Sequence, residues 1–289
     1  MICITGAGGT VGSEVLTQLK MTDFQFRAAF FSSEKADRAR ANGIDAIVID
    51  YNQPDTLRAA FESCDSLFLL GPNDLKQTEL EINAVEAAKH VGVRHIVKQS
   101  VLGAQGESYS LAKIHGPVEK AIVASGLAWT FLRPNSFMQN VKTFMSESIR
   151  AESRFYSASG DARVSHIDVR DIAGVAVEAL TTDHHTGKAY DLTGPDAFTY
   201  DEIAAQLSAA TGRPITHVSL TPAELRSAML AGGMPEALAD RMLDLERYFR
   251  EGSASGVSED IKLVTGHNPR RYSSYLREIA ATGVLNILN

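Results

Sequence analysis

Between Thr5 and Gly12 the chain reads TGAGGTVG, with four glycines in the seven residues from Gly6 to Gly12. Glycine at that density is costly in backbone entropy, so something must approach this backbone closely. The spacing G-x-G-x-x-G fails because position 11 is Val, whereas G-x-x-G-x-x-G fits Gly6, Gly9 and Gly12. After a strand and before a helix, Gly6 makes the tight turn and Gly9 lets backbone amides reach a pyrophosphate. Gly12 lets the helix pack close. The free N–H groups and dipole at the helix start favour phosphate charge. The plainer alternative is a tight structural turn.

A second constellation is Tyr109-Ser-Leu-Ala-Lys113, a Y-x-x-x-K spacing preceded by Ser100. On a helix, positions i and i+4 share a face. An ammonium beside a phenol lowers the phenol's pKa from about 10 and lets it trade a proton near neutrality. Ser100 would then polarise a substrate carbonyl. The alternative keeps Lys113 as a cofactor ligand alone, because Ser100 to Tyr109 is a short interval for the two to converge. His115, four residues before Glu119 on the same helix, is another candidate, and reads best as pairing with Glu119 on a partly exposed face. Phe137, Met138, Phe144 and Phe155 would form a dry acceptor pocket or plain core. Asp171 reads as the anchor of a helix start, in a segment that also holds His166 and Asp168.

The end of the second strand chooses between dinucleotides: a carboxylate there bonds the ribose of NAD, and a basic or hydroxyl cluster takes the extra phosphate of NADP. Here Phe30-Phe31 leads into Ser32, Ser33, Glu34 and Lys35, with no acid at the strand tip. Ser32, Ser33 and Lys35 therefore favour NADP(H) over NAD(H), the alternative being a helix cap with a charge pair. Asp50 and Tyr51, after the third strand, are expected near the adenine, as an acceptor and a flat wall.

These residues need a scaffold, and the pattern supplies one. Apolar runs at 1–5, 26–31, 46–49, 66–70, 95–98 and 129–132 alternate with helical spacings at 11–19, 54–61, 78–91 and 109–125. Strands apolar on both faces, separated by helices, make a parallel sheet covered on both sides. The alternation returns at 164–180 and 190–192. Further helices are expected at 200–211, 221 onward and 235–249, with a strand at 215–219. The expected fold is an α/β, doubly wound Rossmann sheet with a smaller C-terminal α/β lobe. Residues 1–137 and 164–194 form the dinucleotide-binding core, and 138–163 with 195–289 form the substrate lobe.

Composition narrows the classes. The chain has 289 residues, 44% hydrophobic and 22% charged, with net charge −7. An acidic balance argues against a sequence-independent nucleic-acid surface. No apolar run reaches the ~20 residues of a bilayer span, and Met1-Ile-Cys-Ile-Thr5 lacks the form of a secretory signal. Cys3 and Cys64 read as packing residues rather than a disulfide or metal pair. His184-His185 has no Cys or carboxylate at ligand spacing, so no metal is expected. The expected location is the cytoplasm.

The glycine loop, DYNQPDTL (50–57), GVRHIV (92–97) and above all SGLAWTFLRPNSFMQN (125–140) resemble the NmrA-like branch of atypical short-chain dehydrogenases/reductases. VSHIDVRDIAGVAVEAL (164–180) and NPRRYSSYLREIA (268–280) extend the resemblance over nearly the whole chain. It implies a Rossmann core, a small lobe and a cleft between them. It also implies hydride transfer from NAD(P)H to quinone-like, azo or triphenylmethane-type acceptors, or in some members a regulator that binds NAD(P) without turnover. By that resemblance Gly6, Gly9, Thr10, Val11 and Gly12 hold the pyrophosphate. Leu70, Gly71 and Pro72 line the nicotinamide ribose, and Gln99 and Ser100 stand beside the nicotinamide. Lys113 bonds the ribose hydroxyls, and Pro134, Asn135 and Phe137 flank the nicotinamide amide. A nucleotide-sugar epimerase is a third reading that depends on Tyr109 and Lys113. A small aromatic substrate and a homodimer complete the expectations.

Overall fold

The computed structural model describes residues 1–286. The chain begins with β1 (Ile2–Ile4), α1 (Thr10–Leu19), β2 (Phe26–Phe30), α2 (Ser33–Ala41) and β3 (Ala46–Val48). It continues through α3 (Pro54–Phe61), β4 (Ser66–Leu69), α4 (Gln77–Val91), β5 (His95–Gln99), α5 (Ser110–Ser125) and β6 (Ala128–Pro134). There the alternation breaks. Val141–Met145 forms a π-helical turn, followed by α6 (Ser146–Glu152) and β7 (Arg154–Ser157). α7 (Val169–Thr181) and β8 (Lys188–Leu192) resume it. α8 (Tyr200–Thr211), β9 (Thr216–Ser219), α9 (Pro222–Ala231), α10 (Glu236–Arg250), α11 (Asp260–Thr265) and α12 (Tyr272–Ala281) follow. The strand at β7 and the helices α6, α11 and α12 were not anticipated from periodicity; α6 and α11 are only seven and six residues long.

Seven strands form one parallel sheet in the order β3-β2-β1-β4-β5-β6-β8. Alternate residues of each strand enter opposite cores, as the period of a strand requires. Ile2, Ile4, Phe30, Phe68, Val97 and Leu132 pack under α1 and α7. Cys3, Ala29, Leu67, Leu69, Ile96 and Phe131 pack on the other face, with residues of α3, α4 and α5. The direction of winding reverses between β1 and β4, which opens a crevice at the carboxyl ends of those strands.

A third core is built from Met138, Val141, Ile149 and Phe155 together with Tyr200, Ile203, Leu207, Tyr275 and Leu276. β7 and β9 pair in parallel beside it as a separate two-stranded sheet. A small fourth cluster, Tyr109, Ala112, Val164, Tyr248 and Phe249, joins α5 to α10. Among the described residues no helix is long and apolar enough to cross a membrane.

Candidate active site

The glycine loop has the geometry of a cradle. Gly6 stands at φ +63°, a left-handed conformation that glycine adopts without steric cost. Its carbonyl accepts from Gly9 N at 2.9 Å. Gly9 caps α1 in extended conformation without a side-chain bond, and the first helical bond runs from Ser13 N to Gly9 O at 3.0 Å. The amides of Thr10, Val11 and Gly12 thus lie in the first helical turn, where N–H groups lack intrahelical acceptors. A Cβ on Gly12 would lie 2.2 Å from the Gly6 oxygen, so only glycine lets helix and turn meet here.

Thr5 locks the loop to β4. Its hydroxyl donates to Phe68 O (3.0 Å) and accepts from Leu70 N (2.9 Å). At the far side, Lys35 lies across Gly8, with Nζ 3.5 Å from Gly8 O. Ser32 caps α2 by accepting from Lys35 N at 3.3 Å, while Glu34 turns away to pair with Arg38 at 2.6 Å. Phe31 projects beside them, 76% exposed. The tip of β2 therefore offers hydroxyls, an ammonium group and an aromatic ring.

Tyr51 is a correction. It is buried in the core, and its hydroxyl donates to Leu70 O at 2.9 Å, so its ring props the end of β4 instead of walling an adenine pocket. Asp50 accepts from Asn52 N at 2.9 Å and shapes the turn there.

The strand ends carry a buried ionic layer. Gly71 N donates to Glu81 Oε1 at 2.7 Å. Lys98, fully buried on β5, donates to the same oxygen at 3.0 Å and also to Gln99 O. Its third proton faces His115 Nδ1 at 3.2 Å. Burial lowers the pKa of both Lys98 and His115, His115 well below the ordinary imidazole value. Ser100 donates to Glu119 Oε1 at 2.5 Å, and Arg133 clamps that carboxylate through Nε (3.0 Å) and Nη2 (2.6 Å). The expected His115–Glu119 pair is thereby corrected. Each has a stronger partner reached through the sheet, and His115 is buried rather than partly exposed. Gln99 Oε1 is buried with no partner among the described residues.

Ser100, Tyr109 and Lys113 are not brought together. The helix starts at Ser110, so Tyr109 precedes it in extended conformation (φ −145°, ψ 168°) and the shared-face argument lapses. Tyr109 is 1% exposed, stacks on Tyr248 at 4.0 Å and donates to Leu102 O at 2.9 Å. Burial raises its pKa, the opposite of what an acid needs. Lys113 is exposed.

Asn135 is fully engaged. Its Nδ2 donates to Ser165 Oγ (2.9 Å) and Ala254 O (2.8 Å), and its Oδ1 accepts from Ser136 N. Pro134, the last residue of β6, is buried, and Phe137 is half-buried, bridging to Ile167. The expected aromatic pocket is dispersed: Met138 and Phe155 lie in the third core, and Phe144 is 64% exposed on the π-helical turn. Asp168, not Asp171, caps α7 by accepting from Arg170 N at 2.9 Å; Asp171 accepts from Arg270 N at 2.8 Å. His166 is buried against Tyr272, and burial holds its pKa down at about 4.

α10 closes over the crevice from the far side. Asp244 accepts from Ser110 N and Oγ, both at 2.6 Å, and Arg241 donates to Asn73 Oδ1 at 3.3 Å. These residues, with Glu81, Lys98 and Arg133, escaped the sequence reading. The signal available was a charged residue inside an otherwise apolar strand, as in HIVKQ at β5.

One arrangement imitates a hydrolase. Ser157 Oγ meets His217 Nε2 at 2.9 Å, and His217 Nδ1 meets Asp201 at 2.8 Å. The serine is buried at the wall of the third core and the carboxylate lies in solvent, the reverse of a usable nucleophile.

An NAD(P)H-binding family matches residues 6–183. An NAD(P)H azoreductase from Xenophilus azovorans is 37% identical over 97% of this chain and 98% of its own length. An NADPH-dependent quinone oxidoreductase from Escherichia coli, crystallised with NADPH, superposes with TM-score 0.89 at 28% identity. It covers 96% of this chain and 99% of its own. The Citrobacter sp. triphenylmethane reductase complexed with NADP(H) gives TM-score 0.86 at 26% identity, over 97% and 100%.

Proposed function

The chain belongs to the NAD(P)H-binding family, and from that premise we propose an NAD(P)H-dependent reductase of quinone-like, azo or triphenylmethane-type acceptors. The observation that carries the reading is the convergence of the glycine cradle, whose Gly12 Cβ position is already filled by the Gly6 carbonyl, with Lys35 beside Gly8. Reduced nicotinamide supplies the hydride when bound. Thr10, Val11 and Gly12 hold the pyrophosphate, and Ser32, Ser33 and Lys35 take the 2′-phosphate. Leu70, Gly71, Pro72, Gln99 and Phe137 frame the nicotinamide end. Residues 138–163 and 195–286 form the lobe that covers the acceptor, the last three residues of the expected lobe lying outside the described residues.

Such acceptors are electrophilic already. Holding donor and acceptor about 3–3.5 Å apart in a dry crevice supplies most of the rate. The buried free thiols of Cys3 and Cys64 suit a reducing compartment, and we place the protein in the cytoplasm.

The test follows NADPH and NADH oxidation by absorbance, with and without quinones and triphenylmethane dyes. Acceptor-dependent oxidation is expected. Tight NADPH binding with no oxidation by any acceptor would replace the reductase with a cofactor sensor. Tyr109→Phe is expected to stay within about twofold of wild type in turnover, because the phenol serves Leu102 O. It loses about 1 kcal/mol of stability. Lys35→Ala is expected to weaken NADPH binding about tenfold, the worth of one charge-assisted phosphate bond, while leaving NADH binding unchanged. Equal losses for both cofactors, by titration, would remove Lys35 from the phosphate site.

A further inference from the structure

Lys98 is a fully buried ammonium with three protons and three acceptors: Glu81 Oε1 at 3.0 Å, Gln99 O and His115 Nδ1 at 3.2 Å. An ammonium only donates, so Nδ1 accepts and the neutral imidazole carries its proton on Nε2. Glu81 Oε2, 3.9 Å from His115 Nδ1, is buried with no hydrogen-bond partner among the described residues. The cluster therefore holds one tautomer in place and keeps an acceptor oxygen in reserve.

Its position matters as much as its chemistry. Glu81 bonds Gly71 N at the end of β4, and Lys98 bonds Gln99 O at the end of β5. These are the two strand ends assigned above to the nicotinamide. His115 is 8% exposed, and among the described residues its Nε2 has no hydrogen-bond partner. The charged groups around it are Lys98 of β5, Glu81 of α4, Glu119 one turn along α5, and Arg241 of α10, which reaches Asn73 across the crevice.

Resting on the reductase reading, we propose that Glu81, Lys98 and His115 form a proton relay for carbonyl acceptors. His115 Nε2–H protonates the acceptor oxygen as hydride reaches the acceptor ring. The Nε2–H bond breaks and an O–H bond forms. A proton passes from Lys98 Nζ to Nδ1, which leaves a neutral amine whose lone pair accepts from the new Nδ1–H. The amine keeps its bonds to Glu81 and Gln99 O. A water proton entering at Nε2 drives the ring back and restores the ammonium. The quinone gains hydride plus proton, and no other reactant is needed.

Acceptor chemistry separates this role from a structural one. A quinone requires hydride and a proton, whereas a cationic triphenylmethane dye is neutralised by hydride alone. With 1,4-naphthoquinone, His115→Ala and Lys98→Met are expected to lose at least about a hundredfold in kcat, the lower end of the usual range of general acid catalysis. For His115→Ala the NADPH Kd and crystal violet reduction should both stay within twofold. Equal loss with both acceptors would mark a structural residue and overturn the relay, as would unchanged naphthoquinone turnover in His115→Ala. A wild-type protein that oxidises NADPH with neither acceptor overturns the reductase reading and the relay with it. One readout needs neither variant nor turnover. Long-range proton–nitrogen NMR of the cofactor-free protein should show His115 neutral and protonated at Nε2, and an Nδ1–H tautomer overturns the relay outright.

Discussion

Gly12→Ala is expected to lower NADPH affinity at least a hundredfold, about 2.7 kcal/mol. The added methyl carbon would fall 2.2 Å from the Gly6 oxygen and 2.7 Å from its carbon. Both are backbone atoms of the turn, so no flexible side chain can yield. α1 must move outward, which costs about 1–3 kcal/mol of overpacking strain and carries the amides of Thr10 and Val11 away from where the turn aims them. Gly106→Ala is the control, because nothing among the described residues lies within 4 Å of its Cβ position and its φ is ordinary. Isothermal titration with NADPH reads both. An affinity for Gly12→Ala within tenfold of wild type would mean that the loop is only a turn.

Arg133→Met is expected to cost roughly 3–5 kcal/mol of stability, the usual penalty for stranding a buried charge. Glu119 would keep only Ser100 as partner in a site where its side chain is 6% exposed. For a chain of this size that lowers Tm by roughly 5–8 °C. Adding Glu119→Leu should recover most of the loss, since an apolar pair of similar volume removes the stranded charge. Differential scanning of the single and double variants decides it. A double variant no more stable than Arg133→Met would show that Arg133 acts through packing and not through its charge.

The glycine loop and the sheet were legible because each rests on neighbours in sequence. Steric exclusion at Gly12 involves Gly6, six positions away, and the strands announce themselves as short apolar runs between helical spacings. The cap at Ser32 was legible for the same reason. The ionic layer was not. Lys98 meets Glu81 and His115 across 17 residues in either direction, and Arg133 meets Glu119 across 14, through contacts that exist only once α4 and α5 lie against β5 and β6. Tyr109 and Lys113 misled in the opposite way. Their spacing was right for a helix face, but the helix begins one residue later, and a single position separates a catalytic-looking pair from a buried ring and an exposed amine. Asp168 and Asp171 differ by the same kind of margin, since either could cap α7 by type and only the helix start decides.

The third core draws its residues from two stretches separated by α7 and β8: Met138 to Phe155 on one side, Tyr200 to Leu285 on the other. A nascent chain therefore meets its partners in an uneven order. By Pro134 the ribosome has delivered six of the seven sheet strands and the whole glycine cradle. Phe155, by contrast, has no complete shelter until Leu276 emerges, more than a hundred residues later. During that interval an apolar segment trails from an otherwise assembled sheet, the kind of species on which chaperones and proteases act. Truncation near the carboxyl end should for that reason leave a core able to grip nucleotide and a frayed flank that a protease opens first.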